Sequence, residues 1–371
     1  MKNNISRKKF LKQGATLFGG TMIGSTIDFS SIVNATNYKP IRMMYNENPY
    51  GPSRIAQRAM QKAFSESNLY TMRQAQKEFV QLIALLNNID KDQISIGFGS
   101  REILNKAALM NGIDKGEMIS PQLTFEAINN YAKNTMNTKV NRIKMDDGIN
   151  IDLDKMASKI NKRTKIVYVC NPNNPTGLAL DSKQLESFCL EVSKKVLVFV
   201  DEAYHEYALD GNYKSMSHLV NANNKILISR TASKVHGLAG LRVGYAIANN
   251  DITKRLSSYL TGSLNVVGLR AAIASYNDKN FQAFSIKKNN QARKIVTDHL
   301  DKKGIKYLKS HTNFIFLKTG MDINKFQPAM EKHGVIVGRP FLPYKDWCRL
   351  SMAKPEEMKF FNKGLDKVLS I

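Results

Sequence analysis

Short apolar runs alternate with amphipathic stretches along most of this chain. Runs rich in β-branched residues and bounded by glycine, asparagine or proline predict strands. These strands are expected at 93–98, 117–120, 139–145, 165–170, 196–200, 225–229 and 243–248. Between them, apolar residues return every three or four positions, which predicts helices such as 72–86 and 182–192. The run at 196–200 is apolar throughout, as is typical of a strand that is buried on both faces.

This alternation predicts an α/β fold, in which a mainly parallel seven-stranded sheet carries helices on both faces. After about residue 275 the pattern changes to short strands mixed with helices, which predicts a smaller α+β domain. The tail strands are expected at 305–308, 313–317, 335–337 and 347–351. We predict an N-terminal segment at 37–66 that packs with the small domain, a large domain at 67–275 and a small domain at 276–371. Residues 42–53 are predicted to be an extended loop, because Pro49, Gly51 and Pro52 interrupt them.

The first 36 residues have the order of an export signal. A basic opening, Ser6-Arg-Lys-Lys-Phe-Leu-Lys12, precedes an apolar stretch at 15–27 and then small residues at Val33-Asn-Ala35. The apolar stretch is about 13 residues long, too short for a stable membrane span. The opening resembles a twin-arginine signal in which Lys8 replaces the second arginine. We therefore expect export to the periplasm, or a cytoplasmic location if the leader is not functional.

The chain of 371 residues carries 55 basic and 31 acidic residues, a net charge of +24. Such a charge can indicate nucleic-acid or membrane-surface binding. No basic stripe interleaved with aromatic residues and no nucleic-acid-binding module is present in the sequence, so we expect no nucleic-acid partner. Cys170, Cys189 and Cys348 lack metal-ligand spacing, and no metal site is predicted. The positive charge would help to attract an anionic cofactor or substrate.

Several residues with chemical potential lie just past predicted strand ends, where ligands bind in parallel sheets. They are Ser100, Phe125, Asn174, Asp201 and Lys234. Each has a plain alternative: the turn before Ser100 can be a simple connection, Phe125 a core residue, and Asp201 a cap. Together they are more informative, because a lysine can form an imine with a carbonyl, and a buried carboxylate needs a partner such as a protonated pyridine nitrogen.

The residues around Lys234 favour an anion. Thr231, Ser233 and Arg242 supply hydroxyl groups and a guanidinium, which bind phosphate. A lysine that can form an imine next to a phosphate-binding cluster suggests pyridoxal phosphate.

Four motifs now carry a resemblance to a family. They are Asn46-Glu-Asn-Pro-Tyr-Gly-Pro52, Asn171-Pro-Asn-Asn-Pro-Thr-Gly177, Val200-Asp-Glu-Ala-Tyr204 and Thr231-Ala-Ser-Lys-Val-His-Gly-Leu-Ala-Gly-Leu-Arg242. From about residue 40 to the C-terminus the chain resembles fold-type I pyridoxal-phosphate aminotransferases, most closely the histidinol-phosphate aminotransferase group. The resemblance implies a fold-type I transferase, pyridoxal 5'-phosphate as cofactor, and a homodimer with a shared active site.

The resemblance also implies roles for individual residues. Lys234 would hold the cofactor covalently and move a proton between the substrate Cα and the cofactor. Asp201 would pair with the ring nitrogen, Asn174 and Tyr204 would bond the phenolic oxygen, and Phe125 would stack on the ring. The implied phosphate ligands are Ser100, Arg101, Thr231, Ser233 and Arg242, with Tyr70 reaching the neighbouring subunit. The implied substrate-binding residues are Asn48, Tyr50, Asn174, Arg349 and Arg339.

Three segments depart from the family pattern. Pro121-Gln-Leu-Thr124 is longer than usual before the stacking aromatic, Gly99-Ser-Arg-Glu102 replaces the commoner phosphate turn, and Arg339 lies one place late for an enzyme of histidinol phosphate. We expect amino transfer between an amino acid or amine and a 2-oxo acid such as 2-oxoglutarate. Histidinol phosphate and aromatic amino acids are the leading candidates for the donor. The alternatives are a decarboxylase of a phosphorylated amino acid on the same scaffold and a non-catalytic pyridoxal-phosphate-binding protein.

Overall fold

A computed structural model describes residues 40–70, 73–208, 212–221, 224–259 and 262–370. The predicted export signal at 1–36 lies outside these residues. The first eight strands are β1 Ile41–Met43, β2 Ile94–Phe98, β3 Glu117–Pro121, β4 Val140–Ile143, β5 Thr164–Cys170, β6 Leu197–Asp201, β7 Ile226–Thr231 and β8 Val243–Ala248. The first eight helices are α1 Arg54–Ala63, α2 Arg73–Asn87, α3 Ser100–Ile113, α4 Ala127–Asn134, α5 Leu153–Ser158, α6 Ser182–Val192, α7 Asn250–Ser258 and α8 Val266–Asn277.

Seven of these strands form one sheet in the order β2-β8-β7-β6-β5-β3-β4. β8 is antiparallel to both of its neighbours, and the pairs from β7 to β4 are parallel. The predicted α/β class with a mainly parallel seven-stranded sheet is therefore confirmed. All strands except β8 point the same way, so their carboxyl ends meet at one edge.

Alternation along the central strands divides the core into two layers. Val198 and Val200 of β6 join a cluster with Phe79 and Leu269 from α2 and α8. Phe199, the residue between the two valines, belongs to a cluster on the other face, with residues of α3, α4 and α7. Helices therefore cover both faces, and this explains why β6 reads as a continuous apolar run.

The C-terminal part has its own apolar core. Its helices are α9 Lys279–Lys302, α10 Ile323–Lys332 and α11 Pro355–Leu369, and its strands are β9 Phe314–Lys318, β10 Val335–Val337 and β11 Trp347–Ser351. β9 and β11 are antiparallel, and their residues share a buried cluster with α9, α10 and α11. Because this cluster is separate from those of the large sheet, the region fits the predicted smaller α+β domain. The predicted domain boundaries themselves stay predictions.

Two local predictions were wrong. Residues 42 and 43, predicted to belong to an extended loop, are part of β1, which pairs in parallel with β10. The pairing partner lies almost 300 residues away in sequence, and no local pattern identifies it. Residues 305–308, predicted to be a strand, contribute only a single bridge between Tyr307 and Leu317.

The described residues contain no helix that is long and apolar enough to cross a membrane. In the same residues, no group of three or more histidine, cysteine, aspartate or glutamate side chains is arranged to hold a metal ion.

Candidate active site

Lys234 lies in the turn after β7, at the carboxyl edge of the sheet. Its Nζ donates to the carbonyl of Asn46 at 3.1 Å and lies 5.5 Å from the ring centroid of Tyr204. Burial lowers the pKa of Lys234 to about 7; nearby Arg349 and Arg242 add to this effect, while Glu47 and Asp201 oppose it. A substantial fraction of the amine is therefore neutral and nucleophilic near pH 7.

Asp201 ends β6 and is buried beneath this turn. Its carboxylate accepts hydrogen bonds from Ser229 Oγ at 2.8 Å and from Tyr168 OH at 3.3 Å. Burial raises the pKa of Asp201 to about 6, although these two hydrogen bonds lower it. A cation next to the carboxylate would remove much of the cost of burying its charge. The protonated ring nitrogen of pyridoxal phosphate is such a cation.

Tyr204 presents a hydroxyl group whose oxygen already accepts hydrogen bonds. Asn46 Nδ2 donates to it at 2.9 Å and Asn174 Nδ2 at 3.4 Å. Burial raises the pKa of Tyr204, so the hydroxyl keeps its proton at neutral pH. Since both amides donate to the oxygen, the hydroxyl hydrogen can be donated to a ligand oxygen, as the phenolic oxygen of the cofactor requires.

The start of α3 and the end of the Lys234 turn form an anion cradle. Arg242 has a left-handed backbone with φ of 56°, and its guanidinium donates to the carbonyl of Phe98 at 3.1 Å and to Ser233 Oγ at 3.4 Å. Gly99 has a φ of 71°, a conformation that favours glycine, and its lack of a Cβ leaves room for this guanidinium. The amino end of a 14-residue helix, a guanidinium and hydroxyl groups together suit a phosphate.

Two further predicted phosphate ligands, Thr231 and Ser233, lie in this cradle. Thr231 Oγ1 donates to Ser233 Oγ at 2.8 Å and accepts from the Ser233 N–H at 3.1 Å. Ser100 is the first residue of α3. Arg101 follows it, with its guanidinium 6.0 Å from the ring centroid of the half-buried Phe125. The structure therefore brings these predicted residues to one place, next to Lys234.

Arg349 of β11 reaches the same site from the small domain. Its two terminal nitrogens donate to Asn174 Oδ1 at 2.7 Å and to the Met44 carbonyl at 2.6 Å. Burial lowers the pKa of Arg349 to about 10, so it stays charged at neutral pH. No carboxylate of the described residues pairs with it, and a bound anion would supply the missing negative charge.

Arg339 is exposed, and its guanidinium contacts the same aromatic ring, that of Phe341, as the guanidinium of Arg349. The guanidinium carbons of the two lie 4.3 Å and 5.1 Å from the ring centroid of Phe341. Burial of its inner part lowers the pKa of Arg339, and the charge of Glu126 opposes this. The structure therefore places Arg339 beside the buried arginine, at the outer side of the site.

Three predicted site residues have side chains directed elsewhere in this chain. Asn48 Nδ2 donates to the Val235 carbonyl at 2.8 Å and to Ser285 Oγ at 3.1 Å, behind the lysine turn. The ring of Tyr50 packs 5.0 Å from that of Phe284 on α9. Tyr70 is fully exposed and contacts no other site residue here. Their roles in substrate or phosphate binding stay predictions.

The sequence did not identify the residues that hold Asp201 and Tyr204 in place. Asn46 begins the Asn46–Pro52 motif, and no role was predicted for it. It donates a hydrogen bond to the hydroxyl of Tyr204 and exchanges two hydrogen bonds of 2.8 Å with Ser351. Ser229 is registered opposite Asp201 in the neighbouring strand. Tyr168 occupies β5 on the other side of β6. These contacts depend on which strands are neighbours, and the sequence does not give the strand order. The one local sign of Ser229 and Tyr168 was a hydroxyl side chain near the end of an apolar strand.

Comparisons with known proteins identify the family of this chain. The model of a family described as aminotransferase class I and II matches residues 38–361. The chain belongs to this family. A protein of Hydrogenovibrio crunogenus named histidinol-phosphate aminotransferase 2 is 31% identical over 340 residues, covering 89% of this chain and 88% of the relative. The histidinol-phosphate aminotransferase of Brevibacillus brevis is 31% identical over 341 residues, covering 89% of each.

Solved structures give the same fold. The histidinol-phosphate aminotransferase of Sinorhizobium meliloti, in complex with pyridoxal-5'-phosphate, has a TM-score of 0.82 at 22% identity and covers 99% of both chains. The aspartate aminotransferase of Thermotoga maritima has a TM-score of 0.78 at 19% identity and covers 99% of this chain and 100% of that one. The chain is thus a fold-type I, pyridoxal-phosphate-dependent aminotransferase, which confirms the predicted fold, enzyme class and cofactor.

The residues present fit this cofactor. When bound, pyridoxal phosphate supplies an electrophilic carbonyl carbon and a protonated ring that withdraws electrons from the substrate. Asp201 would keep the ring nitrogen protonated, and Arg349 would orient an anionic substrate group. Lys234, whose pKa is about 7, can accept a proton from the substrate Cα and return it. The fit rests on the raised pKa of a buried carboxylate and on the cradle at Gly99, both seen in this chain.

Proposed function

We propose that this aminotransferase takes its amino group from histidinol phosphate or an aromatic amino acid and passes it to a 2-oxo acid such as 2-oxoglutarate. The names of the curated relatives that match most of the chain support the first donor. The observation that carries the proposal is the pair of arginines, Arg339 and Arg349, on the ring of Phe341.

The chemistry of this arrangement favours substrates with an anion near a flat ring. Arg349 is buried and makes no ion pair within 4.0 Å among the described residues, so a substrate carboxylate or phosphate would neutralise it. Phe341 packs edge-on against Phe316, and Phe316 stacks with Trp347, so a buried aromatic cluster supports the Phe341 ring that the two arginines contact. An imidazole or phenyl side chain would pack favourably next to the Phe341 ring.

Arg339 provides a position for a second anion. Histidinol phosphate has one anionic group, whereas 2-oxoglutarate has two, and both must fit the same site in turn. We assign the anion nearer the reacting carbon to Arg349 and the distal carboxylate of the acceptor to Arg339. This assignment predicts that Arg339 contributes more to the acceptor half-reaction than to the donor half-reaction.

The homodimer belongs to this proposal as well. Phe64, Leu69 and Tyr70 are exposed near the end of α1, and Tyr70 is accessible over its whole side chain. An apolar group of this kind is typical of a subunit interface. Sedimentation equilibrium tests it: a dimer is expected, and a monomer that is fully active would contradict a shared site.

Export to the periplasm is a separate proposal, which the basic opening and the apolar stretch of residues 1–36 support. Fractionation of cells that produce the full chain tests it. Activity in the periplasmic fraction is expected, and its loss after Arg7→Gln would support the twin-arginine route. Activity confined to the cytoplasm in both strains would contradict export.

A panel of donors read by half-reaction spectra tests the substrate. Histidinol phosphate, phenylalanine and tyrosine should bleach the visible absorbance of the bound cofactor with kcat/KM at least tenfold above that for alanine. Arg339→Gln should raise the KM for 2-oxoglutarate about 10- to 100-fold, because a charged hydrogen bond contributes about 1.5–3 kcal/mol. Arg163→Gln, at the far end of β5, is the control. Equal rates with all donors would overturn the assignment, and carbon dioxide without an oxo acid product would indicate decarboxylation.

A further inference from the structure

Behind the active site, one carboxylate lies between two histidines. Glu206 Oε2 is 3.1 Å from His205 Nδ1, and Glu206 Oε1 is 3.4 Å from His236 Nε2. Glu206 is mostly buried, with 13% of its side chain exposed, and His236 is almost completely buried. In the part of the chain that the structure describes, neither carboxylate oxygen has a conventional hydrogen-bond partner.

Burial of an ionised carboxylate in this position destabilises the folded state. Burial would raise the pKa of Glu206, yet the two imidazoles hold it below its usual value, so the group is ionised. Well-packed apolar residues would fill the same space without a desolvation cost. A buried charge with so few donors therefore needs another reason, and its position relative to the active site supplies one.

Glu206 and His236 belong to the two loops that carry the catalytic groups. Glu206 lies in the short helical turn directly after Tyr204, which follows Asp201 at the end of β6. His236 lies two residues after Lys234. The contact between their side chains therefore connects the loop of the buried carboxylate with the loop of the reactive lysine.

His236 is itself fixed on its other side. Its Nδ1 lies 2.9 Å from Ser275 Oγ on α8, and its ring lies 4.0 Å from the ring centroid of Tyr276. With Nδ1 at Ser275, the Nε2 of the same ring lies toward Glu206 Oε1. The lysine turn is thus attached to α8 and to the Tyr204 loop through one side chain.

The consequence at the active site is the placement of Lys234 against Tyr204. Their separation of 5.5 Å depends on the relative position of the two loops. Apolar contact among Tyr204, Tyr207, Val235 and Phe314 also joins the loops, but such contacts tolerate small shifts. The close approach of His236 Nε2 to Glu206 Oε1, at 3.4 Å, adds a polar contact that opposes sliding, and catalytic groups lose about a hundredfold in rate when misplaced by about 1 Å.

We propose that Glu206 and His236 are positioning residues that hold the Lys234 loop in register with the Tyr204 loop. They act through Lys234 and Tyr204 and touch neither substrate nor cofactor. Besides the two histidines, the titratable groups that face Glu206 are Tyr207, Tyr213, Tyr245 and Tyr276.

Substitutions at His236 test the proposal in the holoenzyme. His236→Phe keeps the ring volume and loses both polar contacts, whereas His236→Gln keeps a donor directed at Glu206. His236→Phe should lower kcat by about 10- to 100-fold, with the donor KM unchanged within about threefold, because Arg349 is not disturbed. His236→Gln should recover at least half of that loss on a logarithmic scale. Glu206→Gln should resemble His236→Phe.

A second readout needs no substrate. The visible absorbance of bound cofactor changes with pH at a midpoint set by the surroundings of Lys234, and His236→Phe should move this midpoint by at least about half a pH unit. This readout stays valid whatever the natural donor is, so failure of the proposed donor does not affect it.

The surface pair of Glu186 and His218, at 3.1 Å, provides matched controls. Glu186→Gln and His218→Phe should leave kcat and the midpoint unchanged. The proposal is overturned if His236→Phe keeps both the wild-type kcat and the wild-type midpoint, or if it changes only the temperature of unfolding.

Discussion

The lowered pKa of Lys234 predicts a pH-dependent gain in stability when the lysine is removed. In the folded apoenzyme the pKa of Lys234 is about 7, against 10.5 for a lysine in the unfolded chain. Below pH 7 both states carry the proton, and the folded state bears the full cost of a buried charge. Between about pH 7 and 10.5 the unfolded chain binds more protons, so the stability of the wild type rises with pH. Lys234→Met removes this term and keeps the apolar stem.

The size of the effect follows from the same shift. A pKa lowered from 10.5 to about 7 corresponds to at most about 5 kcal/mol. Lys234 is partly exposed, so solvent screening reduces the contribution to about 2–3 kcal/mol. Lys234→Met apoenzyme should therefore be more stable than wild type by about 2–3 kcal/mol at pH 6, and the difference should disappear toward pH 10.

Urea unfolding of the two apoenzymes at several pH values between 6 and 10 measures the difference directly. Lys287→Met, at an exposed position of α9, is the control and should give a difference that does not change with pH. Subtraction cancels the other titrating groups, which the variants share. A difference for Lys234→Met that is constant across the range, or that grows with pH, would refute the reasoning.

Four other substitutions test separate parts of the site. Asp201→Asn should weaken cofactor binding about 10- to 100-fold and remove the rise in wild-type affinity near pH 6, seen by titration with pyridoxal phosphate. Arg349→Gln should raise the KM for anionic substrates about 10- to 100-fold in steady-state assays. Glu202→Gln, which breaks a buried pair of 2.9 Å with Arg230, should cost about 3–5 kcal/mol in urea unfolding. Gly244→Ala places a Cβ 2.5 Å from backbone atoms of the phosphate turn and should lower cofactor affinity at least about tenfold by fluorescence titration, with the fold retained.

Most strands and helices of the large domain could be predicted because each of them is encoded by a local pattern. Each strand of the sheet is a short apolar run, and in each helix apolar residues return every three or four positions. The strand at 243–248 and the helix at 182–192 were therefore predicted with their observed limits. The direction of β8 could not be predicted in this way, because an antiparallel strand has no distinct pattern when it is buried on both faces. The strand order depends on long-range contacts that the local pattern does not contain.

The site was predicted in part for a related reason. Lys234, Asp201 and Asn174 lie at strand ends, and the carboxyl ends of parallel strands meet at one edge, so their proximity followed from the fold class. Asn46 was not identified because its role depends on Ser351 and Tyr204, which lie 305 and 158 residues away in sequence. Glu206 could not be distinguished from Glu202 in the sequence, because both follow the same strand. Their contacts separate them: Glu202 pairs with Arg230, whereas Glu206 lies next to His236.

The reactivity of Lys234 shows why chemistry at such a site is not a property of a motif. Besides burial, the main influences on its pKa are Arg349, Glu47, Arg242 and Asp201, which belong to four separate segments. Arg349 comes from the small domain, so the position of that domain relative to the large sheet helps to set the charge of the lysine. Any movement that withdraws Arg349 should raise the pKa of Lys234 and protonate it. In the apoenzyme, binding of an anion to Arg349 would act in the same direction by cancelling its charge, so the protonation of Lys234 depends on what Arg349 binds.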